Sequence, residues 1–513
     1  MVTFLPGVAL ALAFTPWSSY GRTVEHPQSS KNATVLILGG GVSGVIAARS
    51  LHQQGITDFK IVDALDEIGG RLQSFKFGVP GNQRIIELGP NWVQGTETPG
   101  GPQNPIWSLV QKYNVKTQVN DFVGSMATYD KSGPMDYLDV FGRSIDAFNN
   151  LTVVAGNRAS KRLVDISSRT GYALLGMKPR TPQDFACEYF NLDWESGKFD
   201  YPIGDTAEKS SMLATSWAAN FTYDEDVGGF GDDNALSIDQ RGFKTFIQAE
   251  AETFLRPEQV HLNSTVKTIA YSSSGVEVTL TTGEKLTADH ALVTFSIGVL
   301  QNDDVKFSPP LPEWKQEAIQ GMTMADQTTY TKIFLQFPRK FWFDTEMALY
   351  ADPVRGTYPV WQSLDHDKFF PGSHILFVTV TGDYSVRVET LSDVEVQAEV
   401  MKVIRTMFPN ITVPEPVGFH FPRWHQNPLF RGSYSNWPPD YFNGHHQNLR
   451  ATVDNRLWFA GEGNSQKYFG FLHGAYFEGM RTATAMAKCI KGNGCADLKH
   501  VEEVKNADPY VIS

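Results

Sequence analysis

The sequence predicts an α/β fold in which one sheet domain is assembled from both ends of the chain and interrupted by a second domain. Two observations carry this expectation. Near the N-terminus, Val35–Arg71 reads as strand, glycine-rich turn, helix and strand. Near the C-terminus, Leu457–Gly463 (LWFAGEG) and the helical pattern Gly474–Lys488 repeat the order strand, glycine turn, helix. A unit built from both termini requires the middle of the chain to leave and return.

In chain order, the first feature is the apolar run Phe4–Phe14, followed by small and polar residues. It resembles a secretory leader and is too short to span a membrane comfortably, so residues 1–21 are assigned as a signal peptide and a secreted protein is expected. Sequons at Asn32, Asn150, Asn220, Asn263 and Asn410 support that compartment as glycosylation acceptors. The buried strand Val35–Leu38 follows, then Gly39, Gly41 and Gly44 in the spacing G-x-G-x-x-G. Val42 to Gln54 has helical spacing and Gly55 suits its stop. The strand Phe59–Val62 ends at Asp63, nineteen residues past Gly44. This is the dinucleotide-binding pattern: glycines for a tight turn and close phosphate approach, a helix N-terminus for the anion, and an acid for a ribose. With 44 glycines in 513 residues, three fixed glycines match by chance roughly 0.3 times, so the flanking strands and helix give the motif its weight.

Helical patterns follow at Val140–Asn149 and Ser160–Ser168, then Lys244–Phe254. Strands are expected at Val260–Asn263, Thr265–Ala270, Gly275–Thr281 and Ala291–Phe295. Pro309, Pro310 and Pro312 mark a boundary. Beyond it, Tyr330–Phe337, Val354–Gln362 and Ile375–Thr381 read as strands, and Val394–Met407 as a helix.

A net charge of −12 argues against nucleic acid as a partner and suits cationic ligands. Of three cysteines, Cys489 and Cys495 flank a glycine-containing loop and are expected to pair in an oxidising compartment, while Cys187 is expected to be buried. There is no C-x-x-C, and no metal site is expected.

Further motifs run the length of the chain: Asp63-x5-Gly69-Gly70-Arg71, Leu88-Gly89-Pro90-Asn91-Trp92, Tyr330-Thr331-Lys332-Ile333-Phe334, Pro422-Arg423-Trp424, Ser435-Asn436-Trp437-Pro438, and Phe459-Ala460-Gly461-Glu462 with His473-Gly474-Ala475-Tyr476. Together they resemble the flavin-dependent amine oxidases of the monoamine oxidase superfamily, most closely the plant and fungal polyamine oxidases. The resemblance covers residues 33–495. It implies a discontinuous Rossmann-type FAD-binding domain (33–114, 220–313 and 432–489), an α+β substrate domain of mixed sheet and helices (115–219 and 314–431), and a C-terminal tail (490–513). A single glycine fingerprint agrees with electrons coming from the substrate and not from a second dinucleotide.

The resemblance also implies site residues. FAD would be held by Gly39, Gly41, Gly44, Asp63, Gly70, Arg71, Trp92, Val266, Glu462 and Leu472, non-covalently, since Ser433 stands where monoamine oxidases carry the flavin-bonded cysteine. Lys332 would act at the flavin, through a water. Tyr434 and Phe471 would flank the substrate carbon, a slot that also suits a cation. Trp92, Trp424 and Tyr330 would line the tunnel. Glu195 matches one of the two tunnel carboxylates of plant polyamine oxidases, whereas Gln94 occupies the other position and has no charge. The implied reaction takes a small-molecule amine and O2, with hydride transfer to FAD, imine hydrolysis and H2O2 release, in a monomer without membrane insertion. Spermine or spermidine is the first substrate class, and a less charged amine or specialised metabolite the alternative. An inert FAD-binding module is the rival from another class.

Overall fold

A computed structural model of the chain describes residues 32–195, 210–322, 329–439, 443–495 and 498–501. The expected leader, 1–21, lies outside the described residues. The first sheet has a parallel centre. Ala33–Leu38 lies between Phe59–Val62 and Lys285–Val293, with Leu38 opposite Val62 and Val293. Leu457–Phe459 pairs in parallel with Ala291–Val293, so one sheet takes strands from both ends of the chain. The hairpin Val266–Ser272 and Gly275–Leu280 extends the sheet on the far side of Lys285–Val293. Parallel strands covered on both faces read as unbroken apolar runs. Here Leu36 and Leu38 pack into one buried cluster and Val35 and Ile37 into another, with helices Val42–Gln53 and Leu472–Ile490 on the latter side.

The second sheet holds Tyr330–Gln336 between Ile375–Thr381 and Gly418–His420, all antiparallel, and continues through Val360–Ser363 and Met347–Ala351 to Met126–Asp130. Strand alternation decides what it offers to the site. Ile333 and Leu335 enter the cluster closed by the helix Asp393–Met407, while Tyr330 and Phe334 pack on the opposite side. Lys332 shares that opposite parity, and both Tyr330 and Lys332 line a large cavity.

Some sequence expectations need correction. Ser160–Ser168 is not a helix: Leu138–Ser160 ends at Lys161, Arg162 adopts φ 53°, and a new helix starts at Ser168 after Ser167, whose hydroxyl accepts from the Thr170 N–H. The strand expected at Val354–Gln362 is confined to Val360–Ser363, because Asp352 caps a turn at Val354; the strand Met347–Ala351 was missed. Cys187 is fully buried, and Cys489 is disulfide-bonded to Cys495 at the end of Leu472–Ile490. No helix among the described residues is long and apolar enough to cross a membrane.

Candidate active site

The glycine turn connects Leu38 to the helix Val42–Gln53. Gly39 has φ 116° and Gly70 φ 60°, both in the region that disfavours side chains. A Cβ on Gly44 would sit 1.9 Å from the Gly39 carbonyl oxygen, so only glycine lets helix and turn touch. A Cβ on Gly41 would meet nothing nearer than Gly70 Cα at 3.8 Å, so the space above it is free of protein. That space belongs to a cavity of about 1430 Å³, more than the roughly 300–1,000 Å³ of a drug-sized ligand site. Asp63 closes this end. Its carboxylate accepts from the Gly40 and Leu65 N–H groups, and burial raises its pKa against those two bonds. Val266, on the hairpin, lines the same end.

Beyond Gly70, which lies against Gly41, Arg71 Nη1 donates to the Ser433 carbonyl oxygen at 2.7 Å and to Glu462 Oε1 at 3.1 Å. Glu462 Oε2 accepts from Ser435 Oγ at 2.6 Å and from the Gly470 N–H at 2.8 Å. The carboxylate is thus a clamp that ties Arg71 to two C-terminal loops. Leu472 opens a 19-residue helix after Phe471, no side chain caps its first turn, and Phe471, Leu472 and Ala475 line the cavity. The pieces fit a flavin dinucleotide: a glycine cradle and helix end for the pyrophosphate, an acid for the ribose, and a second helix N-terminus some four hundred residues away in sequence.

Lys332 lies in the cavity wall with only 2% exposure. Its Nζ donates to the carbonyl oxygens of Glu87 (3.2 Å) and Gly89 (2.6 Å) and to Asn91 Oδ1 (2.7 Å), and lies 5.2 Å from the Trp92 ring centre. Burial lowers its pKa to about 7, against the opposing field of Glu87. The Glu87 carboxyl is itself pushed up to about 7 by burial, opposed by hydrogen bonds from the Phe243 N–H and Ser74.

Beside Lys332 the cavity wall is aromatic. Trp92, Phe122 and Trp194 meet pairwise with ring centres 5.1–6.1 Å apart, Phe190 stacks on Trp194 at 4.9 Å, and this aromatic box lines the cavity. Trp92 Nε1 donates to Asn120 Oδ1 at 3.0 Å. Tyr434 lies 6.1 Å from Tyr330, and Phe471 stacks on the buried His473 at 5.0 Å. Trp424 borders the same space. Gln94 lines it too, on a strand in which it pairs with Asn234. Glu195 is the last residue of the π-helical turn Phe190–Glu195, and its side chain lies outside what the structure describes.

The structure also brings in residues that sequence reasoning missed. Exposed Asp121, Asp224, Glu225, Asp226, Asp232 and Asp233 line the mouth of the cavity. Their signal was the pair of acidic runs flanking Gly228–Gly231, which read as ordinary surface charge. Because Gln94 pairs with Asn234, the uncharged position is one step from the Asp232-Asp233 doublet. Asn91, quoted only as part of a motif, contacts Lys332 directly. Among the sequons, Asn32, Asn150, Asn263 and Asn410 are exposed, while Asn220 is half-buried and lines the cavity.

This site and fold define a flavin-dependent amine oxidase, and comparison with known proteins agrees. Residues 42–487 match the family "Flavin containing amine oxidoreductase", and the chain belongs to it. It is 34% identical to polyamine oxidase 1 of Zea mays over 510 residues, covering 95% of each chain. It is likewise 34% identical to polyamine oxidase 7 of Oryza sativa subsp. japonica over 502 residues, covering 94% of this chain and 98% of the relative. Among solved structures, a wild-type putrescine oxidase bound to putrescine aligns with TM-score 0.67 at 19% identity, covering 88% of this chain and 98% of that one, a likeness of fold. The cofactor is therefore FAD and the protein an FAD-dependent amine oxidase.

Proposed function

We propose that the chain oxidises a multiply charged aliphatic amine of the spermine and spermidine type to an imine, which water splits into an aldehyde and a shorter amine, while O2 becomes H2O2. The observation that carries this reading is the acidic mouth, Asp121, Asp224–Asp226 and Asp232-Asp233, leading to the aromatic box beside Lys332. The relatives in Zea mays and Oryza sativa are polyamine oxidases, which supports the same class.

FAD, which Gly41 and Leu472 among others would hold, would supply the two-electron acceptor for a hydride from the carbon beside the amine nitrogen, with O2 as the final acceptor. The chain's residues do the rest. The acids attract the distal ammonium groups and hold one end of the substrate. Trp92, Tyr434 and Phe471 exclude water and orient the reacting C–H bond. Lys332, poised near neutrality, holds or releases a proton at the cavity wall. Ser433 in place of a cysteine supports a non-covalent cofactor. The same reading takes residues 33–114, 220–313 and 432–489 as the FAD domain and 115–219 with 314–431 as the substrate domain. It also takes the protein as secreted, monomeric and glycosylated at Asn32, Asn150, Asn263 and Asn410.

The uncharged Gln94 favours a second reading, an amine with fewer charges. H2O2 release with spermine, spermidine, N-acetylated polyamines and simple monoamines decides between them. Polyamine turnover that falls steeply with added salt is the expected result, since surface attraction is screened within roughly 10 Å at 0.1 M. Turnover of monoamines alone, unaffected by salt, would overturn it. No reduction of the flavin by any amine without oxygen would remove both readings.

A further inference from the structure

The environment of Lys332 contains one partner whose role the reaction does not assign. A lysine ammonium has three hydrogens and no acceptor. At Lys332 all three are engaged, by two main-chain carbonyl oxygens and Asn91 Oδ1. The carbonyls of Glu87 and Gly89 are fixed acceptors, since Glu87 lies in the strand Arg84–Glu87 and a Cβ on Gly89 would sit 2.0 Å from the Arg71 carbonyl oxygen. Asn91 is different. Its carboxamide carries an acceptor at one end and two donors at the other. The ammonium can only donate, so Oδ1 must face it, which fixes the amide's orientation. Asn91 Nδ2 makes no hydrogen bond to any other described residue, and Asn91 is 5% exposed in the cavity wall.

Loss of one proton changes the requirements. A neutral lysine has two hydrogens and a lone pair. The two carbonyls take the hydrogens, and the lone pair then faces an amide oxygen, an unfavourable contact in a buried place. Turning the amide end for end removes the conflict: Nδ2 donates to the lone pair and Oδ1 turns to the cavity. We propose that Asn91 is a positioning residue for Lys332 that relays its charge, presenting a donor to the cavity when the lysine is protonated and an acceptor when it is neutral. Lys332 Nζ keeps its place in both states, and the polarity beside the reacting centre changes with its proton.

The charged surroundings allow this relay to be read. Glu87 is the charged group among the described residues whose field acts on Lys332, and Lys244 acts on Glu87 from the next element. From its own strand, Thr331 points the other way, to Glu389. The proposal rests on Lys332 working at the FAD site, but its first test does not.

That test is the pH titration of Lys332 in FAD-loaded protein carrying [13Cε]lysine, its resonance assigned by loss in Lys332→Met. Asn91→Asp keeps the shape, offers only acceptors and adds a charge, so the lysine midpoint should rise by about one unit or more, a tenfold change in proton affinity. Asn91→Leu offers neither partner, and the midpoint should fall. Asn91→Ser, which both donates and accepts, should restore the parent midpoint. Midpoints that stay put in the Asp and Leu variants, or move in the same direction, overturn the proposal. The second arm follows anaerobic flavin reduction by spermine against pH. Its midpoint should move with the resonance, whereas an equal loss of rate at every pH would mark Asn91 as merely structural and overturn the relay. If no amine reduces the flavin, the resonance titration still decides about Asn91 while the assigned reaction fails separately.

Discussion

Two substitutions three residues apart separate cofactor binding from folding. In Gly44→Ala the new methyl would lie 1.9 Å from the Gly39 carbonyl oxygen and 3.3 Å from Ile37 Cγ2. Both neighbours belong to the strand and turn, so the helix must lift away. Overpacking of this kind costs about 1–3 kcal/mol, and here the clash is with backbone. In Gly41→Ala the nearest protein atom is Gly70 Cα at 3.8 Å, an ordinary contact, and the φ of −74° suits alanine. The protein has room for this methyl; a pyrophosphate drawn close to the backbone does not. Losing one charge-assisted bond costs roughly 1.5–3 kcal/mol, which weakens FAD by roughly 10- to 150-fold. Thermal unfolding of the apoprotein reads the fold, and quenching of flavin fluorescence on titration reads the cofactor. Gly41→Ala should unfold with the parent's midpoint and bind FAD weakly, whereas Gly44→Ala should lower the midpoint of the apoprotein itself. A Gly41→Ala protein that binds FAD as tightly as the parent, or that is as destabilised as Gly44→Ala, refutes the assignment of that space.

Other outcomes follow from the buried charges and the cavity mouth. Glu87 titrates near 7 in the folded chain against an ordinary 4.5, so its contribution is fully present below about 4.5 and is lost as pH rises through 7, on the order of 3 kcal/mol. Glu87→Gln should therefore flatten the stability profile between those limits; an unchanged slope in urea unfolding from pH 4.5 to 7 would count against it. Gln94→Glu restores a charge beside the Asp232-Asp233 doublet, and kcat/KM should rise several-fold for spermine and stay level for a monoamine. An equal rise for both would show that position 94 does not read charge. Reducing the Cys489–Cys495 bridge, which closes a short loop at a helix end, should cost about 2 kcal/mol in thermal stability and leave the flavin spectrum unchanged.

The parts of this protein that follow local rules were legible in the sequence. Gly39 to Asp63 could be assigned because turn, helix and strand each carry their own periodicity, and Ile375–Thr381 because β-branched residues crowd it. The motif around Lys332 placed it on a strand, and alternation then fixed its face. The misses have physical causes. Helical spacing continues through Lys161 and Arg162, yet the chain turns at a left-handed arginine that propensity does not foresee. Met347–Ala351 is buried throughout, so it lacks the alternation that marks a half-exposed strand. The acids of the mouth look like solubility charge until the fold gathers Asp121 with Asp224–Asp233. The contact between Asn91 and Lys332 joins residues 241 apart, a distance over which sequence pattern carries no information.

The union of Leu457–Phe459 with Ala291–Val293, and of Arg71 with Ser433 and Glu462, has a consequence for how the molecule comes into being. A chain emerging from the ribosome exposes its glycine turn first and completes the clamp last. Until residue 472 has been made, the N-terminal half has a cradle without its opposite wall. Such long-range closure is slow and leaves unpaired strand edges open to aggregation in the interval. Capture of FAD therefore has to wait until the C-terminal wall has joined the N-terminal cradle.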